Sequence, residues 1–342
     1  MRNRYLITFL FIFLFYSCSL DNDIYEINGF TMGTTYSVKI VENSLNSSKI
    51  KTEIDEILNA INMDMSTYID SSSISKFNNL NNLKKHKISN DFYKVIKSSK
   101  YFYDITDGAF DITVNPLVSL WGFSKDSLKK IPTKDEINQI LKSIGTNNLI
   151  IHKDGSISKN NTPTTIDLSA IAKGYAVDKI SEYLSDLNYT NHMVEIGGEV
   201  RASGFNFKNT KWKIAIEYPS FQRSFRKTPY IDKDLKGVHT ILQVSDISIA
   251  TSGDYRNYYD INGRRYSHII SPKTGYPIEN KIISVSVLTN KCLDADALAT
   301  ALMVMDIEDG VKLVEELDGY ESFFILEDNS TRQTSGIKDF LN

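Results

Sequence analysis

Asp296 and Thr300 stand four residues apart in the run Asp294-Ala295-Asp296-Ala297-Leu298-Ala299-Thr300. On a helix their oxygens face one way and suit one hard cation such as Mg²⁺. Two oxygens do not fill such a shell, and at nucleotide sites water, backbone carbonyls or substrate phosphates complete it. The same run also reads as an N-terminal cap, with Asp294 or Asp296 ahead of an alanine-rich helix, and taken alone it favours the cap. A second stretch, Asp167 to Asp178, puts Ala170, Lys173 and Gly174 on one helical face. Small residues there open the helix start, where free backbone N–H groups and the Lys173 charge suit a phosphate. A tightly packed helix pair with a solvated lysine is the competing reading. A third stretch, Asp107-Gly108-Ala109-Phe110-Asp111 ahead of Asn115-Pro116, suits a rigid loop holding a planar ring, or a purely structural loop. The fourth runs through Thr251-Ser252-Gly253-Asp254-Tyr255 and then Tyr266 to Gly275. His268 lies in it, whereas His86, His152, His192 and His239 sit in polar contexts and are expected at the surface. The chain has no nucleophile elbow, no H-E-x-x-H, and neither of the glycine-rich nucleotide signatures, so any nucleotide is held another way.

The elements that must position these residues follow from periodicity. Tyr25 to Val41 is rich in β-branched and aromatic residues, with Gly29 and Gly33 as punctuation, and predicts two strands joined by a turn. Ile50, Ile54, Ile57, Leu58 and Ile61 recur at helical spacing and predict a helix over 47–65. Further helices are predicted at 90–105, 135–144, 169–187, 294–305 and 309–317. Strands are expected at 193–196, 212–217, 241–251, 266–270, 282–288 and 320–326. Residues 204–240, polar and irregular around Pro219 and Pro229, read as a surface excursion. The elements interleave without the regular alternation of a doubly wound sheet, which favours α+β over a Rossmann domain.

Composition excludes several classes. The 342 residues are 41% hydrophobic, enough for a full-sized core. Lys plus Arg total 39 against 42 Asp plus Glu, which leaves no electrostatic footprint for a nucleic acid. Cys18 and Cys292 are too few for a disulfide framework and lack zinc-site spacing. Arg2 and Arg4 precede an uncharged run from Tyr5 to Tyr16, short of the roughly 20 residues of a spanning helix and matching a signal h-region. The run ends Phe15-Tyr16-Ser17-Cys18, similar to a bacterial lipoprotein processing site except that Phe15 stands where Leu is usual. The expectation is a signal peptide over 1–17 and a lipid on Cys18. An ordinary secreted or N-terminally anchored protein is the alternative.

In order along the chain, these stretches resemble the ApbE family of flavin transferases. The resemblance runs from Met32-Gly33-Thr34-Thr35-Tyr36 through Ser66-Thr67-Tyr68, Phe110-Asp111, the Asp167 to Asp178 segment and Gly197-Gly198-Glu199-Val200-Arg201. It continues through Thr251 to Tyr255 and His268 to Gly275, and ends at Asp296 to Thr300. It implies one T-fold-like α+β catalytic unit over 18–342, and Mg²⁺-dependent transfer of FMN from FAD to a threonine hydroxyl with release of AMP. It further implies a metal held by the Ala170 carbonyl and the side chains of Asp296 and Thr300. The FAD would be met by Met32, Tyr68, Ala109, Phe110, Asp111, Asp167, Lys173 and the Ile270 backbone. Asp254 and His268 are the candidates for taking the threonine proton, with Lys173 and Mg²⁺ neutralising phosphate charge. The implied partners are flavoprotein subunits of Nqr- or Rnf-type membrane redox complexes, and the implied place is the periplasmic face of the inner membrane. The rival readings are an FAD hydrolase, against which Tyr68 argues, and a flavin-binding lipoprotein without chemistry, against which Asp296 and Thr300 argue. A third rival, a nutrient-binding lipoprotein, would need two similar lobes that the chain lacks.

Overall fold

Alternation of buried Ile27, Tyr36, Val38 and Ile40 with outward polar residues makes the first two strands, Asp23–Thr31 and Thr34–Glu42, one face of a hairpin. Met32 and Gly33 close it with φ of 50° and 76°, the left-handed pair that matches strand twist. The computed structural model describes residues 23–123, 130–217, 237–254, 258–261 and 264–341. The expected signal segment 1–17, Cys18, Tyr255 and residues 218–236 of the expected excursion lie outside the described residues.

The hairpin begins an eight-stranded sheet in which every neighbouring pair is antiparallel. Next to it come His192–Ile196, Glu199–Ser203, Ile247–Gly253, Ile282–Thr289, Glu321–Leu326 and Thr331–Gln333, in that order. An all-antiparallel sheet has no βαβ crossover, so the fold is α+β and not Rossmann. Helices Ser47–Met65, Asn90–Ile105, Ala172–Asp186 and Cys292–Val304 bury their apolar sides in the main core on one face. The ribbon Trp212–Glu217 with Val238–Val244 covers the other, around Ala202, Ile249, Leu288 and Phe323. Ile282–Thr289, enclosed on both faces, is buried along its whole length. A smaller cluster of Leu117, Trp121, Ile137 and Ile270 carries the loops near Gly275, whose carbonyl accepts the Trp121 indole N–H at 2.8 Å.

Several expected bounds move for local reasons. The helix expected from 169 starts at Ala172, because Asp167 Oδ1 accepts the Ser169 N–H at 2.7 Å and closes a turn before the helix. The strand expected over 241–251 is two strands, broken where Asp246 takes a φ of 57°. The excursion expected at 204–240 opens with a loop over 204–211, then enters the covering ribbon at Trp212, which is buried, and ends within the ribbon's second strand.

One histidine overturns the surface expectation. His192 is 0% exposed, with Nδ1 2.7 Å from the Tyr189 carbonyl and Nε2 2.7 Å from Ser181 Oγ. Burial is the largest cause that lowers its pKa, to about 4 from 6.5. Between those values the unfolded chain binds a proton that the native state refuses. Stability is therefore full above about pH 6.5, falls with falling pH, and loses about 3 kcal/mol by pH 4 through this group. Denaturant unfolding of the native chain and His192→Gln across that range checks it, and equal pH slopes for the two would refute it.

Candidate active site

The site is built where two helices touch. Gly174 has no side chain because there is no room for one: a Cβ there would lie 2.3 Å from the Cys292 carbonyl oxygen. The close approach lets the Gly174 N–H donate to Asp296 Oδ2 at 3.0 Å. That N–H would otherwise close the first helical turn on Ala170, so the Ala170 carbonyl is left without its helical donor among the described residues. One turn on, Asp178 Oδ1 accepts the Cys292 N–H at 3.0 Å and the Arg201 guanidinium at 2.7 Å, and Oδ2 accepts the Leu293 N–H at 2.9 Å. Helix Cys292–Val304 has no capping side chain of its own at Lys291; Asp178 caps it from the neighbouring helix.

This replaces the cap reading of Asp296. The helix begins at Cys292, and Asp296, one turn in and 3% exposed, faces its partner helix instead of its own first N–H groups. Lys173 Nζ lies 2.9 Å from Glu199 Oε1 and 3.7 Å from Asp296 Oδ2. Burial works against the Lys173 charge, but Asp296 and Glu199 outweigh it and hold the amine above the usual lysine range. Burial raises Glu199, with Asp296 adding to the effect and Lys173 opposing it. Glu199 Oε2 is buried with no hydrogen-bond partner among the described residues. Thr300 Oγ1 sits 3.2 Å from Ser252 Oγ on the adjoining strand. Buried carboxylates, a freed carbonyl and a hydroxyl form an all-oxygen donor set, the chemistry of a hard cation and not of zinc. Among the described residues no cluster of three or more His, Cys, Asp or Glu offers a rival centre.

The remaining candidates approach from the same end of the sheet. Gly197 follows strand His192–Ile196, its N–H donates to the Thr35 carbonyl at 3.2 Å, and a Cβ there would press on Thr34, so the two turns touch. Met32, in the hairpin turn, is half-buried against the main core. Thr67 Oγ1 donates to Asp167 Oδ2 at 3.2 Å, which ties the loop bearing Tyr68, itself 71% exposed, to the entrance of helix Ala172–Asp186. Ala109, Phe110 and Asp111 are buried. The Phe110 ring meets Phe102 edge-on, and Asp111 Oδ1 accepts from the Thr113 N–H, Thr113 Oγ1 and Thr146 Oγ1 at 2.7 to 2.9 Å. Burial raises the Asp111 pKa against those bonds. Beside them a cavity of about 250 Å³ is lined by Asp107, Asp111, Gly145 and Lys273 among others, with Lys273 Nζ 2.6 Å from Asp107 Oδ2.

The two proton-acceptor candidates lie on different elements. Asp254 closes strand Ile247–Gly253, two residues past Ser252, and its N–H donates to the Ile283 carbonyl at 3.1 Å. His268 follows strand Arg264–Ser267, with its ring 6.3 Å from that of Phe123. Ile270 is buried in the smaller cluster and bridges to Pro277. Sequence reasoning assigned no role to Glu199, Asp178 or Arg201; the one local signal was a carboxylate directly after Gly197-Gly198, where a tight turn aims it inward.

Known proteins share this sequence pattern and fold. The sequence model of the ApbE family matches residues 32–324. The chain is 40% identical to a Vibrio cholerae FAD:protein FMN transferase over 92% of this chain and 91% of that one. It is 35% identical to the Haemophilus influenzae FAD:protein FMN transferase over 94% and 93%. Among solved structures, the flavin transferase ApbE from Vibrio cholerae superposes with a TM-score of 0.83 at 38% identity, covering 94% of this chain and 100% of that one. The apo flavinyl transferase ApbE of Pseudomonas stutzeri gives 0.82 at 31% identity, over 94% and 97%. With the family pattern running from the hairpin turn into strand Glu321–Leu326, the chain belongs to the ApbE family.

Proposed function

We propose that the chain is an FAD:protein FMN transferase that moves FMN from FAD to a threonine hydroxyl of an acceptor protein and releases AMP. The observation that carries this reading is the Lys173 ammonium held between buried Glu199 and Asp296, one turn from Thr300, at the start of helix Ala172–Asp186. The Lys173 ammonium and the positive end of the helix dipole meet at one point, which suits a pyrophosphate. Asp296, Thr300 and the Ala170 carbonyl are the residues that would hold Mg²⁺, which when bound supplies charge neutralisation at the phosphates. Lys173 orients a phosphate oxygen, and the Glu199–Asp296 pair keeps it protonated for that task.

Threonine Oγ attacks the FMN phosphorus, the bond to the bridging oxygen breaks, and AMP departs with that oxygen. The threonine proton passes to Asp254 or His268. Met32, Tyr68, Ala109, Phe110, Asp111, Asp167 and the Ile270 backbone surround the FAD. The Phe110 ring is engaged with Phe102, which leaves the exposed Tyr68 ring to cover the flavin. The acceptors fitting this chemistry are flavoprotein subunits of Nqr- or Rnf-type membrane complexes. A lipid on Cys18 would hold the enzyme at the periplasmic face of the inner membrane.

The test is incubation of the chain with FAD, Mg²⁺ and a threonine-bearing acceptor domain, with parallel runs lacking acceptor or containing chelator. The expected result is one FMN added to the acceptor mass with AMP released, lost on chelation. Free FMN and AMP with unchanged acceptor mass would make it a hydrolase instead.

A further inference from the structure

The end of the sheet opposite the active site carries a loop that spends its polar groups on itself. In residues 204–211 the Asn206 side chain accepts the Lys208 N–H and donates to the Lys211 carbonyl and Thr210 Oγ1, all at 2.8 to 2.9 Å. The loop is fixed to the body by the Gly204 N–H on Asp246 Oδ1 at 3.0 Å and the Phe205 N–H on Asn191 Oδ1 at 2.8 Å. Gly204, at φ 56°, has no space for a Cβ, which would fall 2.2 Å from Asn191 Oδ1. Yet Phe205 and Phe207, either side of the inward Asn206, are 44% and 50% exposed. The Asn191 carbonyl also accepts the Val41 N–H at 2.9 Å, and Val41 pairs with Ile24, itself exposed. Leu187, exposed at the end of helix Ala172–Asp186, is four residues before Asn191. Large apolar side chains from three parts of the chain thus project at one end.

The loop itself carries one sign of charge: Lys208 and Lys211 are its only ionisable residues, and Lys213 and Glu217 follow on the next strand. The acids around it are Asp246, which accepts the Gly204 N–H and the Ser245 hydroxyl, Glu42, Asp23 at the start of the first strand and exposed Asp186 beside Leu187, so the positive charge is confined to the loop. Rigid exposed aromatics flanked by lysines fit the interface of an anionic bilayer. The chain itself leads there. Cys18 is five residues before Asp23, which begins the first strand at this same end, and five residues reach at most about 17 Å.

We infer that residues 204–211, with Ile24 and Leu187, form a second contact with an anionic lipid surface beside the Cys18 anchor. The inference rests on the anchored reading above for the orientation it gives. Strand Thr34–Glu42 separates this contact from the Met32 and Gly197 turns by about 30 Å, so the active site faces away from the bilayer.

The three apolar clusters of the described residues lie within 23–341, so the chain from Ser19, which has no lipid, carries all of them. Its sedimentation with phosphatidylethanolamine–phosphatidylglycerol vesicles is compared with that on phosphatidylcholine vesicles. The unlipidated chain is expected to partition onto the anionic vesicles, and Phe205→Ser with Phe207→Ser is expected to cut that about tenfold. Lys208→Glu with Lys211→Glu is expected to abolish the anionic preference, with FMN transfer in solution unchanged in both variants. Equal sedimentation of native and variant chains would overturn the inference. So would lipid-free dimerisation lost in the Phe variant, which would give the patch to a second copy of the chain. The mass of the chain extracted from cells reads the Cys18 lipid separately, so failure of the anchor and failure of the loop contact give different results.

Discussion

Asp296→Asn is expected to lower FMN transfer about 10³-fold, equivalent to about 4 kcal/mol of lost transition-state stabilisation, with little change in melting temperature. Asparagine keeps the shape of the side chain, and its amide oxygen still accepts the Gly174 N–H now found on Asp296 Oδ2 at 3.0 Å. Packing at the helix contact therefore survives. What disappears is a buried negative charge 3.7 Å from Lys173 and one turn from Thr300. The two readings of Asp296 predict different patterns. A helix cap would keep both stability and turnover, because asparagine caps as well as aspartate, whereas a cation ligand loses turnover and Mg²⁺ affinity while stability holds. Initial rates of acceptor flavinylation across a Mg²⁺ titration, with melting curves beside them, separate the two. Near-normal rates at saturating Mg²⁺ would remove Asp296 from the metal site.

What the sequence made legible is what a local period can carry. Ile50, Ile54, Leu58 and Ile61 recur on one helical face, and the helix Ser47–Met65 buries all four. The first hairpin was readable because its strands and turn are neighbours in the chain. Gly174 was legible as a small residue, but not as the point where Asp296, 122 positions away, takes its N–H. His192 shows the same limit. Its polar neighbours predicted the surface, while the fold supplies Ser181 and the Tyr189 carbonyl and removes water. Glu199 escaped because a carboxylate after two glycines has no period; its meaning comes from Lys173 on another element. The family motifs did better than spacing because they sample several elements at once. Met32, Gly197, Gly174 and Thr300 mean little singly and converge only after the sheet is formed.

Asp178→Ala is expected to cost about 4 kcal/mol of stability, which for a chain of this size lowers the melting temperature by about 6 °C. The carboxylate serves three donors at once, the N–H groups of Cys292 and Leu293 and the Arg201 guanidinium, all within 3.0 Å. Burial raises its pKa, while Leu293, Arg201 and Cys292 favour the ion, so the charged form persists only because those donors are in place. Removing it strands two buried N–H groups and leaves Arg201, on the strand beside Glu199, without its acid. The damage spreads to the site because the freed end is the first turn of the helix that carries Asp296 one turn later. Turnover should therefore fall with stability, unlike in Asp296→Asn, where only turnover falls. Asp178→Asn, which keeps one acceptor oxygen, should lie between the native chain and Asp178→Ala in melting temperature. A melting temperature for Asp178→Ala within 1 °C of the native value would show that water or another side chain caps the helix equally well.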